Sequence, residues 1–351
     1  DDKDEFGERK KKKQLRFREE ILGHSRPITA MCSVDVSSGS SSSTKKKYQV
    51  WTASIRREDD PRPKILVCEY VPETKTIENV REVIKNTPLK KVTKLVNCGN
   101  DIVAAIGFDD HLRFASVKDM AFIDDDFDNS NDNNDQECHR RAVKFEQQPI
   151  DVCVVSVSVS ISQDEEEEEE EEEPLLPKTT KVTTKEVHHC ELMITFANGL
   201  AKLVPIEYEK SSSSSDNNGG GGELKILFDK IQQIDVRTAI QTTTIQTTTR
   251  RKKEVELSCG RAVQFSSGGG GEKTLFAFGC ADEAAVYIFE RRNEDGVVEH
   301  KQTLERSNAS SSCNITCVDF APNGKHLAVG DSNREIVLWT TTSTAEDEDE
   351  D

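Results

Sequence analysis

The stretch Cys317-Val-Asp-Phe-Ala-Pro-Asn-Gly-Lys-His-Leu-Ala-Val-Gly-Asp-Ser-Asn-Arg-Glu-Ile-Val-Leu-Trp339 decides the fold of this chain. It reads as a short β-branched strand, a tight turn, a second strand, a polar turn and a third strand that closes on Trp339. Pro322 presets the turn's φ, while Asn323 and Gly324 tolerate the positive φ that a tight hairpin demands. Three strands of this length, each bounded by turn residues, describe an antiparallel meander.

The same order recurs upstream. Ala262-Val-Gln-Phe-Ser266 and Leu275-Phe-Ala-Phe-Gly-Cys-Ala-Asp-Glu-Ala-Ala-Val-Tyr-Ile-Phe289 repeat it around a glycine insert. Val92-Thr-Lys-Leu-Val96 with Asp101-Ile-Val-Ala-Ala-Ile-Gly-Phe-Asp-Asp-His-Leu-Arg-Phe114 repeats it again. A fourth unit opens at Gly23-His24 and Pro27-Ile-Thr-Ala-Met31. A degenerate fifth forms only if 150–161 joins 191–207 across an acidic run. Further strands are expected at 48–54, 65–71, 200–206 and 335–340. At 75–85, Ile77, Val80 and Ile84 stand at helix spacing, and an outer strand fits the same residues; the sequence leaves both open. Self-similar units that each bury little alone are the mark of a stacked repeat fold.

Low-complexity tracts separate these units: near 37–47, 124–141, 162–186, 211–223 and 241–253, with a shorter one at Gly268–Gly271. They cannot bury enough surface to pack, and loop-closure cost grows only logarithmically with length, so they read as inserts. Residues 1–20 form a charged N-terminal segment, 21–340 the repeat domain and 341–351 an acidic tail.

The net charge of −18 is concentrated in two places. Asp164–Glu173 is an unbroken run of ten carboxylates, and 346–351 adds six more; without them the rest of the 351 residues stands at −2. The acidity therefore belongs to an insert and a tail. The ten cysteines include no C-x-x-C pair, and several lie in apolar strand contexts, as small hydrophobes of a reducing compartment do. No secretory h-region and no long apolar run is present, which makes a cytoplasmic location the expectation and gives no sign of a membrane partner.

Gly23-His24 ahead of a strand, Ala321-Pro-Asn-Gly324 in a hairpin and a terminal Trp339 resemble WD40 repeats. The fold that this resemblance implies is all-β: a WD40 β-propeller with about five blades of an expected seven. Gly23-His24 with Pro27-Ile-Thr-Ala30, then Phe108–Phe114, then Asn198-Gly-Leu-Ala-Lys-Leu203, then Thr316–Glu335 is similar to the second propeller of the actin-interacting protein 1 family. That resemblance implies a non-catalytic protein that promotes cofilin-dependent disassembly of actin filaments. The implied partners are actin filaments and cofilin (actin-depolymerising factor), at the actin cytoskeleton. Against that family's pattern, a first propeller and two blades after Trp339 are missing from this sequence, and no binding residue carries over. A scaffold of another class, such as a ubiquitin-ligase receptor or a nuclear assembly platform, fits the same repeats.

Chemistry-bearing motifs are few. His188-His189-Cys190 has metal-ligating types, but on a strand the two histidines point apart, and no partner cluster has ligand spacing. The runs at Gly219–Gly222 and Gly268–Gly271 lack the Lys-Ser/Thr of a phosphate loop. Asn308 and Asn314 open glycosylation sequons without a secretory signal. Arg9–Lys13 is basic but has acidic flanks and no interleaved aromatics, which argues against nucleic acid. No nucleophile elbow, zinc-protease helix or acid–base pair is found, so no catalytic residue, metal or cofactor is assigned and an enzyme is not expected.

In a propeller, the turns between the second and third strands gather on one face. Here they are Asp109-Asp110, Asp282-Glu283 and Asn333-Arg334. Asp282 and Asn333 are expected to serve the turn itself, while Asp110, Glu283 and Arg334 are expected to contact a protein partner.

Overall fold

The computed structural model describes residues 27–36, 46–54, 65–83, 91–99, 101–123, 142–166, 181–210, 223–238, 255–266, 272–292, 296–305 and 313–340. Gly23-His24, Arg9–Lys13, the first 20 residues, the Asn308 sequon, the two glycine runs and the acidic tail lie outside these, as do most of the inserts.

Five antiparallel sheets follow one another along the chain. The first is β1 (Ile28–Asp35), β2 (Tyr48–Ser54), β3 (Ile65–Val71) and β4 (Thr76–Val83), in that order. The second has β5 (Val92–Gly99), β6 (Ile102–Gly107) and β7 (His111–Ser116), with β8 (Ala121–Phe122) and β9 (Ala142–Lys144) both laid along β7. The third has β10 (Pro149–Glu166), β11 (Lys181–Phe196) and β12 (Leu200–Lys210), and β12 carries β13 (Glu223–Ile226) and β14 (Gln232–Asp235). The fourth is β15 (Leu257–Ser266), β16 (Glu272–Cys280), β17 (Ala285–Arg291) and β18 (Val298–Glu305). The last has three strands: β19 (Ile315–Phe320), β20 (His326–Asp331) and β21 (Ile336–Thr340).

The segment left open between helix and strand is the outer strand β4, paired from Val71↔Thr76 to Ile65↔Val83. Its Ile77 and Val80 are exposed, so the helix-like spacing reflects no buried stripe. β10 and β11 join across the acidic run, and their ladder continues to Glu166↔Lys181, well into the 162–186 range assigned to an insert.

Successive sheets turn apolar faces to each other and cover one another there. Four clusters make this plain: one joins sheets one and two around Trp51 and Val103, and the next joins two and three around Phe114 and Leu192. The third joins three and four around Met193 and Phe278, and the fourth joins four and five around Ile288 and Val329. Sheets stacked in sequence order with their first strands innermost are the blades of a β-propeller.

One feature repeats at the start of every innermost strand. The ladder slips by one residue at Thr29, Thr93, Ile150, Ser258 and Thr316, a β-bulge at the same place in all five blades. In four of the five the bulged hydroxyl donates to a carbonyl of the second strand: Thr29 to Ala53 (3.2 Å), Thr93 to Ile106 (3.3 Å), Ser258 to Gly279 (3.2 Å) and Thr316 to Gly330 (3.1 Å). Thr29 also reaches Val92 of the next blade at 2.8 Å. A bulge sharpens local twist and re-aims the strand.

The innermost strands are further tied by charge. Asp151, 1% exposed, receives Arg261 Nη1 at 2.7 Å and the amides of Val152 (2.9 Å) and Gly260 (3.3 Å), and Lys94 Nζ stands 3.3 Å from its other oxygen. Asp319 lies 4.0 Å from Arg261 Nε. One carboxylate on blade three thus holds blades two and four.

The last blade repeats the fourth, with one difference in surroundings. Ladder positions pair Ala277 with Ile288 and Gly279 with Val286 in blade four, and Ala328 with Leu338 and Gly330 with Ile336 in blade five. Val286 and Ile288 are 2% and 5% exposed under blade five, whereas Ile336 and Leu338 are 76% and 74% exposed. We predict that Ile288→Ala destabilises the protein by about 2–5 kcal/mol, while Leu338→Ala, at the matching position, shifts stability by no more than about 0.5 kcal/mol. Denaturant unfolding of the two variants checks the register; equal losses would contradict it.

Candidate protein-binding rim

The turns between second and third strands emerge at the end of each sheet where the bulged hydroxyls sit. In three blades the residue after the second strand donates its amide to the carbonyl just before the first strand. These bonds are Phe108 to Lys91 (2.9 Å), Ala281 to Glu256 (2.7 Å) and Ser332 to Asn314 (2.9 Å). The recurrence aligns Asp109, Asp282 and Asn333 at one position, and Asp110, Glu283 and Arg334 at the next. These three turns thus occupy equivalent places in their blades, and their residues differ in what they contact.

In blade two, Asp110 Oδ1 stands 2.7 Å from His111 Nδ1 and Oδ2 4.0 Å from Lys144 Nζ, and its carbonyl accepts the Phe145 amide at 2.7 Å. Asp109 is held beside Arg113 at 3.6 Å. Burial raises the Asp109 carboxyl above its ordinary range, partly offset by Arg113 and His111. Phe108, between Gly107 and Asp109, is 51% exposed with Lys91 Nζ 4.1 Å above its ring centroid.

In blade four, Glu283 accepts a hydrogen bond from the Tyr287 hydroxyl. Burial, then that bond, push the Tyr287 phenol far above its usual range. Asp282 lies beside it, half-buried, with its amide directed at the Cys280 thiol. In blade five, Arg334 is exposed at φ 67° and its amide reaches the Asp331 carbonyl at 3.2 Å. Of the three residues expected at a partner surface, Arg334 extends into solvent, whereas Asp110 and Glu283 are engaged within their own blades.

The side chain that organises the last turn is Asp331, which the sequence reading passed over in favour of Asn333. Asp331 is 7% exposed; its Oδ1 accepts the amides of Asn333 (2.9 Å) and Glu335 (3.0 Å), and its Oδ2 accepts from Cys313 Sγ (3.3 Å). Asn333 contributes a backbone amide and an exposed side chain. A strand-final Asp followed by Ser-Asn is the signal of such a turn. Phe108 was missed too, although a large aromatic between Gly107 and two aspartates has no place to be buried.

His188 and His189 do lie on opposite faces of β11: His188 Nε2 is 3.2 Å from Glu186, and His189 meets Glu207 (3.2 Å) and Ser160 (2.8 Å). Among the described residues no three His, Cys, Asp or Glu side chains converge on a possible metal, and no helix is long and apolar enough to cross a membrane.

No family model and no curated protein matches the chain. Among solved structures it is similar to the β-propeller domain of Cps50 (Swd1) from Myceliophteria thermophila, at 12% identity with a TM-score of 0.38. The alignment covers 85% of this chain and 63% of that one, so the chain spans under two thirds of that neighbour's length.

Removing Asp331 leaves two turn amides and a thiol without their acceptor. Asp331→Ala is expected to cost about 1–3 kcal/mol of stability. Asn333→Ala, which keeps every one of those bonds, is expected to stay within about 0.5 kcal/mol. Thermal or denaturant melts of the pair decide which residue holds the turn.

Proposed function

We propose that this chain is a non-catalytic propeller scaffold that binds a protein partner on the rim formed by its second-to-third-strand turns. The observation that carries this reading is Phe108: an aromatic ring 51% exposed at a turn whose amide is bonded to the Lys91 carbonyl, capped by the Lys91 ammonium and followed by Asp109 and Asp110. Rigid aromatics with a polar surround supply large contact area at low entropic cost and dominate interface energetics. Arg334, on the same rim three blades away, offers the planar donor fork that interfaces favour.

The resemblance of Phe108–Phe114 and Thr316–Glu335 to the actin-interacting protein 1 family makes the cofilin-decorated actin filament the first partner to test, with filament disassembly the activity to measure. Asp110 and Glu283 belong to this surface as acidic edges, Asp110 beside His111 and Glu283 accepting from the Tyr287 hydroxyl. The alternative reading, a WD-repeat scaffold in a different complex, uses the same rim.

Phe108→Ala combined with Arg334→Glu is expected to reduce cosedimentation with cofilin-decorated filaments, by about tenfold or more in affinity if both act as anchors. The melting curve should stay unchanged, because neither side chain is buried. Undiminished cosedimentation with a normal melt excludes the rim. Absence of any filament binding by the unaltered protein removes the actin reading and leaves the scaffold reading standing.

A further inference from the structure

The ladder between β10 and β11 leaves the body of the propeller. In the last blade the equivalent ladder ends at Phe320↔Leu327, near the foot of the sheet. In blade three it passes that level and continues through Val157↔Cys190, Val159↔His188 and Ile161↔Glu186 to Glu166↔Lys181. Ten residues, 157–166, thus form a projecting strand about 33 Å long at roughly 3.3 Å per residue. It stands at the opposite end of the sheet from the Phe196–Leu200 turn, so it is remote from the rim.

Two properties make this projection unusual. First, β10 is the end strand of its sheet: among the described residues its only ladder is with β11, so its other edge presents unpaired backbone N–H and C=O groups. Second, the residues alternate strictly. Val157, Val159 and Ile161 are 48%, 51% and 69% exposed on one face, with Ser158 and Ser160 on the other. This face continues outward across the sheet from Val159 to His188, Tyr208 and Leu224. Val157 packs near Gly99 of blade two, where a Cβ would meet its Cγ1 at 3.4 Å; Val159 and Ile161 lie further along the projection.

A strand that is uncharged and proline-free over 157–163, with an open edge, is a template for adding another strand. Proteins normally blunt such edges with charge, and here the charge sits at one end only. Asp164, Glu165 and Glu166 occupy the last three rungs, opposite Thr183, Val182 and Lys181, and seven more carboxylates follow in sequence. That asymmetry selects the occupant. A second copy of this chain, added antiparallel, would lay its own acidic end beside Val157 and its neutral end beside these carboxylates, so it brings them no counter-charge. A strand with basic residues at the matching end gains both the backbone ladder and the charge.

We propose that the 157–166 edge is a β-augmentation site for an extended peptide segment of a partner protein. The segment alternates apolar and small polar residues and carries lysines or arginines at its N-terminal end. The polarity follows from antiparallel addition, the mode used throughout this sheet: β10 runs towards its carboxylates, so the N-terminus of an antiparallel guest lies beside them. This site is independent of the rim, and the loss of either reading leaves the other intact.

The test uses the whole chain and a synthetic capped peptide of four lysines followed by repeats of Thr-Val. The expected results are hydrogen-exchange protection of the amides of 157–161 on adding the peptide, and affinity that weakens as salt is raised. A peptide with glutamates in place of the lysines should bind at least about tenfold more weakly, as should the basic peptide to a Val159→Ser, Ile161→Ser variant. Equal affinity for the two peptides overturns the charge-selected occupant. Protection elsewhere, unchanged binding by the variant or no binding of the basic peptide overturns the site. Protection of 157–161 without peptide, together with a dimer in sedimentation, assigns the edge to a second copy instead. Because the protection pattern is read on the unaltered protein, a variant that fails to fold does not blunt the test.

Discussion

A small antiparallel sheet with an apolar face cannot be stable alone, and every blade of this protein is such a sheet, of three to five strands. Each therefore depends on its neighbours for most of the surface it buries, and the four clusters between successive blades are the core of the molecule. The constraint is geometric as well as energetic. Sheets pack face to face at about 10 Å only when small residues alternate with large ones. The contacts of Gly260 and Gly279 display this. A Cβ at Gly260 would fall 2.3 Å from Thr195 Oγ1, and one at Gly279 would fall 2.6 Å from Ile315 Cγ2. The glycine positions are thus set by blade-to-blade distance, with no demand on φ at either.

Where one face must meet the next blade, the start of the innermost strand has to be re-aimed, and the recurring bulge does this. Its hydroxyl satisfies a carbonyl that the slipped ladder leaves exposed. Ile150 in blade three is the exception, and the neighbouring Asp151 is where that blade places its buried carboxylate instead. Burying a charge is tolerable only with full compensation, and Asp151 has two cations and two amides.

Much of this was legible in the sequence. The strand–turn–strand copies ending at Phe114, Phe289 and Trp339 located three blades, and the joining of 150–161 to 191–207 located a fourth. The second face of 75–85 was not legible, because a solvent-facing outer strand has no burial pattern to display its period. The clasp at Asp151 was not legible either: its partners lie in two other blades, and a lone Asp in a strand looks like a surface residue. At the last turn, counting turn residues chose Asn333, whereas Asp331 is the side chain that accepts the turn amides. Side-chain-to-backbone bonds depend on which residue ends the strand, and one position decides that. The projection of β10 was hidden by the composition of its far end, where carboxylates mask a register that the backbone keeps.

The clasp also bears on how the protein is made. Asp151 and Arg261 are separated by 110 positions in the chain. At ribosomal rates of roughly 5–20 residues per second, the carboxylate is synthesised about 5–20 s before the guanidinium that neutralises it. During that interval blade three has a charge at its inner edge that Lys94 alone can compensate, and its face towards blade four is wet. Blade three thus waits in an unfinished state while the nascent chain lengthens, and the emergence of β15 covers its face and seats its charge in one step.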